Sequence, residues 1–323
     1  MTTWMSRGDS WPTLLRAADQ RGIATDILEK DYWVTQSLRV ISQQFPNDFV
    51  FKGGTSLSKC YGCIQRFSED IDILIISGGR GRGATSTLMK NMVRAVIDEL
   101  SLSADPSRRR HETGRHLDEY LAYPTRMVGK NVLDPVVLLE MGVRGEDSPG
   151  HFILPVQPMI ADDLQSAGFA IDEYPDLLPC SVPVLHPGRT LVEKVMMLHS
   201  KVTKGLLDSG NQRNQPTKIG RHYHDIHRLL QRDDVRHWLQ DRNSFLSTVA
   251  SHEHVNLDFF GNKVPPRPQN GYAASDAFRP DFIGHHRLAE FYTKEMRDLF
   301  LGPGDLPAWN DVIDTIQGSA ALL

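Results

Sequence analysis

The sequence Lys52-Gly53-Gly54-Thr55-Ser56-Leu57-Ser58-Lys59 follows one short apolar run, and Asp70-Ile71-Asp72 stands at the start of a second apolar run. The two runs, Phe49-Val50-Phe51 and Ile71 to Ile76, are typical of short buried strands. A short helix is predicted between them, over Ser56 to Ile64. Because glycine adopts turns that other residues avoid, the Gly-Gly pair is expected to end the first strand. The pattern predicts a unit of strand, glycine turn, helix and strand.

The glycine turn has the composition of a loop that binds phosphate. Two glycines let the main chain approach a ligand closely, and the start of the following helix offers free N–H groups and the positive end of its dipole. Hydroxyl side chains add further donors. We therefore expect nucleotide phosphates to be bound by Lys52, Gly53, Gly54, Thr55, Ser56 and Ser58. Taken alone, a Gly-Gly pair is more often an ordinary turn.

The second apolar run carries two carboxylates on one face. Alternate residues of a strand share a face, so Ser68, Asp70 and Asp72 are predicted to point together, and Ser68 is expected to join the residues that bind the nucleotide. Carboxylates beside a phosphate site are typical ligands of a hard cation, and we expect Mg²⁺, with Mn²⁺ as an alternative. A lone Asp-x-Asp is more often a solvated strand edge. A buried pair of carboxylates is costly without a cation, which favours the metal site.

Together these motifs resemble the signature of polymerase-β-like nucleotidyltransferases. The resemblance rests on Gly53 to Lys59 and on Arg66-Phe67-Ser68-Glu69-Asp70-Ile71-Asp72, and it is specifically to the AbiEii/MenT-type toxins of type IV toxin–antitoxin systems. It continues in Glu29-Lys30-Asp31-Tyr32-Trp33, Leu191-Val192-Glu193-Lys194 and Arg221 to Ile226. The implied fold is α/β (α+β): a nucleotidyltransferase lobe with a small mixed sheet, and a mostly helical C-terminal lobe.

The resemblance also implies an activity. Such an enzyme moves NMP from an NTP substrate to an acceptor, and pyrophosphate leaves. The implied acceptor is RNA, specifically the 3′ end of a tRNA, so that transfer would block translation. A cognate antitoxin encoded by a neighbouring gene is the implied protein partner. Two alternatives stay open: transfer to a protein hydroxyl, and a non-catalytic scaffold that binds nucleotide or antitoxin.

The resemblance implies roles for single residues in the first lobe. Asp70 and Asp72 are implied as catalytic carboxylates that hold two metal ions. A third carboxylate from a neighbouring strand usually completes such a metal site, and Glu140 in Val136 to Val143 stands where a strand would carry it. The alternative for Glu140 is a strand-end residue paired with Arg144.

The implied catalytic set continues in the second lobe with Lys194 and Asp225. Lys194 would face the phosphates of the nucleotide, whereas a lysine at the edge of an apolar helix stripe is usually an exposed side chain. Asp225 would pair with Lys194 or position the acceptor, and Arg221 would contact phosphate. The simpler interpretation of Asp225 is a residue in the first turn of a helix, favoured by the helix dipole.

Two other clusters predict no chemistry of their own. His222, His224 and His227 lie close together, but no second cluster completes a tetrahedral metal site, so a polar or cationic helix face is expected. Cys60 and Cys63 have the spacing of a redox or half-zinc motif, but without a second pair they are expected to pack in the core.

Ser68 supports a separate hypothesis. If its hydroxyl lies beside Asp70 and Asp72, a phosphate or nucleotide attached to it would repel a triphosphate and compete for the metal. Modification of Ser68 would then switch the enzyme off. The alternative is an ordinary serine that forms hydrogen bonds.

Length and composition limit the class of protein to which the chain can belong. The chain has 323 residues, 40% of them hydrophobic, which excludes wholesale disorder, collagen and coiled coil. We predict two lobes, residues 1–180 and 181–323. The start of the chain does not resemble a signal peptide, apolar runs are too short to cross a membrane, and the three cysteines fit a reducing compartment. We expect a cytoplasmic monomer with no membrane partner.

The charge is unevenly distributed. The formal net charge is −4, which excludes a uniformly basic nucleic-acid binder. The segment His199 to Arg232 nevertheless holds seven Lys and Arg against two Asp. This basic segment is predicted to attract RNA, with binding that weakens as the salt concentration rises.

Overall fold

The computed structural model describes residues 3–127, 133–145, 149–205, 219–261, 264–297 and 299–323. The described part of the chain forms eleven α-helices and eight strands. The strands are β1 (Phe49–Lys52), β2 (Asp70–Ile75), β3 (Ser103–Ala104), β4 (Arg110–Glu112), β5 (His116–Ala122), β6 (Val136–Gly142), β7 (His151–Val156) and β8 (Cys180–Leu185). The helices are α1 (Ser10–Arg21), α2 (Thr25–Gln44), α3 (Gly53–Lys59), α4 (Arg82–Leu100), α5 (Met159–Ser166), α6 (Pro187–Thr203), α7 (Ile219–Leu230), α8 (Asp233–Gln240), α9 (Arg242–Phe260), α10 (His285–Met296) and α11 (Trp309–Gly318).

The chain divides into two compact units that are not continuous in sequence. The first unit comprises Met1–Cys60, Ser68–Val143 and His151–Val184. The second comprises Tyr61–Phe67, Arg144–Gly150 and Leu185–Leu323. Two short segments from the first half of the chain therefore belong to the second unit. The predicted boundary between residues 180 and 181 stays a prediction.

The first unit is built on one sheet of eight strands in the order β3-β5-β6-β2-β1-β8-β7, and β4 pairs with β5. β2 runs antiparallel to β1 and parallel to β6. The predicted mixed sheet is therefore confirmed. β2 is central, and its buried and half-buried residues alternate at its start: Ile71 and Ile73 lie in the core while Asp70 and Asp72 are half-buried.

Charged residues of α2 hold the strand–turn–helix–strand unit in place. α2 is buried over most of its length, including Glu29, Lys30 and Asp31. Lys30 Nζ lies 2.6 Å from Glu69 Oε2, next to the start of β2, and Asp31 pairs with Lys59 at the end of α3. Because buried charges are costly without partners, these ion pairs account for polar residues in the core. Lys30 and Asp31 thus tie the unit to α2.

The second unit has a helical core. Leu191, Val195, Leu198 and Val202 form the predicted apolar stripe of α6, and all four are buried. α7 packs closely on α10, since a Cβ placed on Gly220 would lie 2.6 Å from the carbonyl oxygen of Phe291. Among the helices of the described ranges, none combines the length and the apolar character that a membrane crossing requires.

Some local predictions were wrong. The helix predicted over Ser56 to Ile64 is α3, which begins directly at Gly53 and ends at Lys59. β2 begins at Asp70, so Ser68 precedes the strand, and strand alternation does not place it beside Asp70 and Asp72. β5 was not predicted, because its polar residues mask the strand pattern in the sequence.

Candidate active site

Gly53 brings the glycine turn into close contact with the Asp-x-Asp strand. Its φ angle is +76°, in the left-handed region that favours glycine, and a Cβ there would lie 1.9 Å from Asp72 Oδ2. Lys52 is aligned with Asp72 in the β1–β2 register. Two independent constraints therefore require glycine at position 53: the backbone conformation, and the lack of space for a Cβ beside the Asp72 carboxylate.

The hydroxyl groups of the turn donate to main-chain carbonyls. Thr55 Oγ1 donates to Asp70 O at 2.5 Å and Ser56 Oγ to Gly53 O at 2.9 Å, and both residues are fully buried. Ser58 Oγ donates to Thr55 O at 3.1 Å. These bonds stabilise the turn and join α3 to β2. The predicted phosphate contacts of Lys52, Gly53, Gly54, Thr55, Ser56 and Ser58 stay predictions.

A row of acidic residues crosses the sheet. Asp72 of β2 is aligned with Glu140 of β6, and Glu140 is aligned with Asp118 of β5. Residues directly opposite each other on neighbouring strands lie on the same face of a sheet. Asp70 lies on that face of β2, two residues before Asp72. We call Asp70, Asp72, Glu140 and Asp118 the carboxylate row.

The ionised form of Glu140 is disfavoured within the carboxylate row. Burial, the negative charges of Asp72 and Asp70 and a hydrogen bond with Asp72 together raise the pKa of Glu140 to about 9. Mutual repulsion between close carboxylates favours the protonated form.

The donor set of the row fits a divalent cation. Carboxylate oxygens are the ligands that Mg²⁺ and Mn²⁺ prefer, and a cation would offset the repulsion that now raises the pKa of Glu140. Within the described ranges, no group of three or more His, Cys, Asp and Glu side chains is already arranged to hold a metal ion. The structure aligns Asp72 with Glu140 on neighbouring strands; the three-carboxylate metal site of Asp70, Asp72 and Glu140 stays a prediction.

The second unit contains a buried ion cluster, which we call the Arg66–Asp225–Lys194 triad. Arg66 Nε donates to Asp225 Oδ1 at 2.8 Å and Arg66 Nη2 donates to Asp225 Oδ2 at 2.7 Å. Lys194 Nζ lies 2.8 Å from Asp225 Oδ2. All three side chains are buried, and the two cations hold the pKa of Asp225 far below its usual range against the opposing effect of burial.

These contacts decide between the alternatives for Lys194 and Asp225. Lys194 is 6% exposed and paired with Asp225, so the exposed-lysine alternative is wrong and the pairing implied by the resemblance is present. Asp225 lies in the middle of α7, so the first-turn alternative is wrong as well. Arg221 lies in that first turn instead, where its main-chain N–H donates to Glu295 Oε2 at 3.4 Å. The implied phosphate contact of Arg221 stays a prediction.

His222 is a neutral neighbour of Lys194. Its Nδ1 lies 3.4 Å from Lys194 Nζ, and because an ammonium group only donates, this ring nitrogen is the acceptor. Burial and the nearby charge of Lys194 hold the pKa of His222 well below 6.5. The triad together with His222 therefore carries one net positive charge in the interior of the second unit.

The other histidines do not form the expected polar or cationic face. His224 and His227 are buried, and burial lowers the pKa of His224 to about 4. His224 packs its ring edge-on against Phe300 with the centroids 5.9 Å apart. The expectation was wrong because α7 is covered by neighbouring elements on the side that carries these rings.

Cys60 and Cys63 are free thiols, and burial raises the pKa of each to about 12, which fits packing rather than redox chemistry.

Two functional candidates were missed from the sequence. Arg66 was recognised only as part of a motif, because no local sequence pattern pairs it with Asp225. Asp118 was missed because β5 was missed; it is buried, and its Oδ1 lies 3.0 Å from His116 Nε2. The polar linker Leu207 to Thr217, which belongs to the basic segment, lies outside the described residues.

Comparison with known proteins identifies the family. A family model described as nucleotidyl transferase AbiEii toxin of type IV toxin–antitoxin systems matches residues 38–315. Among solved structures, the chain is similar to MenT4, a nucleotidyltransferase toxin from Mycobacterium tuberculosis H37Rv, with a TM-score of 0.50 and 18% identity over 97% of this chain and 98% of that one. That likeness shows the fold, and no curated protein sequence matches. Because the family model spans most of its length, the chain belongs to the AbiEii family of nucleotidyltransferase toxins of type IV toxin–antitoxin systems.

Proposed function

We propose that this toxin transfers NMP from an NTP to an RNA acceptor with the help of Mg²⁺, and that the acceptor is the 3′ end of a tRNA. The observation that carries the proposal is the alignment of Asp72 with Glu140 on neighbouring strands, beside the glycine turn. Carboxylates aligned on one face of a sheet supply the oxygen ligands that a divalent cation prefers.

In this proposal, Asp70, Asp72 and Glu140 would hold the metal ion, which would supply positive charge near the α-phosphate and the departing pyrophosphate. The glycine turn binds the phosphates of the NTP. The acceptor hydroxyl loses its proton to solvent, its oxygen forms a bond to the α-phosphorus, and the bond between that phosphorus and the oxygen that bridges to the β-phosphate breaks, so that pyrophosphate leaves. Lys194 contributes a positive charge to the triphosphate, and Asp225 keeps that side chain in place.

The choice of RNA is supported by family membership and by the charge of the basic segment, whose residues Lys201, Lys204, Arg221, Arg228 and Arg232 lie in the described part of the chain. Blocking the 3′ end of tRNA would stop translation, which suits a toxin. A cognate antitoxin is the partner that a type IV system implies. Modification of Ser68, a cytoplasmic location and a monomeric state stay predictions.

One experiment tests the proposal against its alternatives. The protein is incubated with each NTP, radiolabelled at the α-phosphate, together with total cellular RNA and protein. We expect label in the RNA fraction, and none with the Asp70→Ala/Asp72→Ala variant. Label in protein would support transfer to a protein hydroxyl instead, and no label in either fraction would support a non-catalytic scaffold.

A further inference from the structure

Arg66 enters the triad from a segment that is distant in sequence from α6 and α7. Gln65 to Phe67 runs beside Leu299 to Leu301: Phe67 N donates to Leu299 O at 2.8 Å, and Leu301 N donates to Gln65 O at 2.9 Å. Arg66 Nη1 also donates to Phe67 O at 3.0 Å. Main-chain pairing therefore fixes the position from which the guanidinium group reaches Asp225.

Arg66 occupies Asp225 more completely than Lys194 does. Its two bonds to the carboxylate are parallel and use both oxygens, the geometry that gives arginine its preference for carboxylates. Lys194 makes a single contact, to Oδ2. Arg66 therefore neutralises the carboxylate of Asp225, and Lys194 contacts a carboxylate whose charge is already balanced.

The consequence lies in the charge that remains on Lys194. A buried Lys–Asp pair without Arg66 would be neutral, and the carboxylate would cancel the attraction of Lys194 for phosphate. With Arg66 present, the triad carries one net positive charge. Of the three N–H groups of Lys194, one contacts Asp225 and one contacts His222. The third has no partner among the described residues.

We propose that Arg66 is a positioning residue: by binding both oxygens of Asp225, it fixes Lys194 and leaves the charge of Lys194 available to the triphosphate. This inference rests on the proposed phosphate contact of Lys194. In this proposal, Asp225 holds the side chain of Lys194 and neither binds metal nor accepts a proton. Arg66 acts through Asp225 and Lys194 without touching the substrate.

The test compares steady-state kinetics of NMP transfer for wild type, Arg66→Met, Asp225→Asn and the double variant Arg66→Met/Asp225→Asn. In Arg66→Met, Asp225 neutralises Lys194, and we expect KM for the NTP to rise roughly 10- to 100-fold, the loss of one charge-assisted contact, with a smaller change in kcat. The double variant removes the carboxylate as well, and we expect it to recover part of the lost affinity. Simple structural damage would not be repaired by a second substitution.

Two further variants serve as controls. Arg66→Lys keeps the charge but not the paired bonds, so its KM should lie between wild type and Arg66→Met; this variant also serves if Arg66→Met does not fold. Arg242→Met removes an arginine of the second unit that donates to Leu322 O at 2.6 Å and packs on Phe245. It should leave KM unchanged.

Two results would overturn the inference. The first is a double variant with a KM at least as high as that of Arg66→Met. The second is an Arg66→Met variant with the wild-type KM while Lys194→Ala raises it, which would leave the proposed function standing and remove only the role of Arg66. If Lys194→Ala itself has the wild-type KM, the proposed phosphate contact of Lys194 is wrong.

Discussion

The carboxylate row and the Arg66–Asp225–Lys194 triad differ in how their charges are balanced. The carboxylate row of the first unit contains acidic groups only, and its burial and mutual repulsion raise the pKa of Glu140 to about 9. In the Arg66–Asp225–Lys194 triad of the second unit, every carboxylate oxygen already has a cationic partner. The row therefore gathers like charges on one face of a sheet, whereas the triad pairs charges of opposite sign and is pre-organised. Substitutions in the row should change activity more than stability, and substitutions in the triad should change both.

The largest effect is expected from Asp70→Asn/Asp72→Asn. Removing two carboxylates that are proposed to hold the metal should lower NMP transfer by about 10³-fold or more, equivalent to several kcal/mol of transition-state stabilisation. The free energy of unfolding should not fall, because repulsion in the row decreases. Transfer assays and urea denaturation of the same preparation measure both quantities. Wild-type transfer, or a marked loss of stability, would contradict the difference between the clusters.

A matched pair of substitutions compares the clusters directly. Asp225→Asn leaves Arg66 and Lys194 buried without a counter-charge, and we expect the free energy of unfolding to fall by about 3–5 kcal/mol. Glu140→Gln is equally conservative but preserves a neutral donor to Asp72, so a change below about 1 kcal/mol is expected. Urea denaturation measures both variants. Equal losses would mean that the two clusters do not differ as described.

Gly53→Ala tests the contact between the glycine turn and the row. The new Cβ needs a φ angle of +76° and meets Asp72 Oδ2, so we expect a loss of about 3 kcal/mol in stability together with loss of transfer. Gly83 is the control, because it lies in α4 with open space around a new Cβ. Gly83→Ala should retain full transfer and unfold at the same or a slightly higher urea concentration. Transfer by Gly53→Ala at the wild-type rate would refute the close approach.

The smallest effect concerns pH. The pKa of His224 is about 4 in the folded protein and 6.5 when unfolded, so the unfolded chain binds the extra proton between these values. This part of the stability is complete above pH 6.5 and is lost as the pH falls to about 4, by about 2–3 kcal/mol. His224→Gln should flatten that slope, whereas His254→Gln, at an exposed position on α9, should not. Denaturation midpoints across this range measure the slope, and equal slopes in all three proteins would exclude a neutral buried His224.

The sequence predicted the parts of the fold that have a regular pattern. The β1 and β2 strands and the long helices α2, α4 and α6 follow from apolar runs and helical periodicity. It did not predict β5, because a strand of Leu117 to Leu121 that contains Asp118 and Glu119 looks polar until its neighbours are known. Strand pairing over long sequence distances depends on tertiary contacts that a local pattern does not contain.

In the candidate site, too, residues in a local pattern were predicted and long-range partners were not. Asp70 and Asp72 were predicted from strand alternation, and their half-buried positions on one face follow that alternation. Arg66 was not predicted as the partner of Asp225, because 159 residues separate them in sequence. A buried carboxylate in the middle of a helix requires a cation, but the sequence does not name which one. That identification needs the structure.

The dependence of transfer on a divalent cation tests the central claim most directly. Transfer of α-phosphate label to RNA is measured for wild type and Asp72→Asn after chelation, and again after Mg²⁺ is added. If the carboxylate row needs a cation, wild-type transfer is lost on chelation and returns with Mg²⁺, whereas Asp72→Asn transfers no label at any Mg²⁺ concentration. Wild-type transfer that persists in chelator, or Asp72→Asn transfer restored by Mg²⁺ to the wild-type level, would contradict the account.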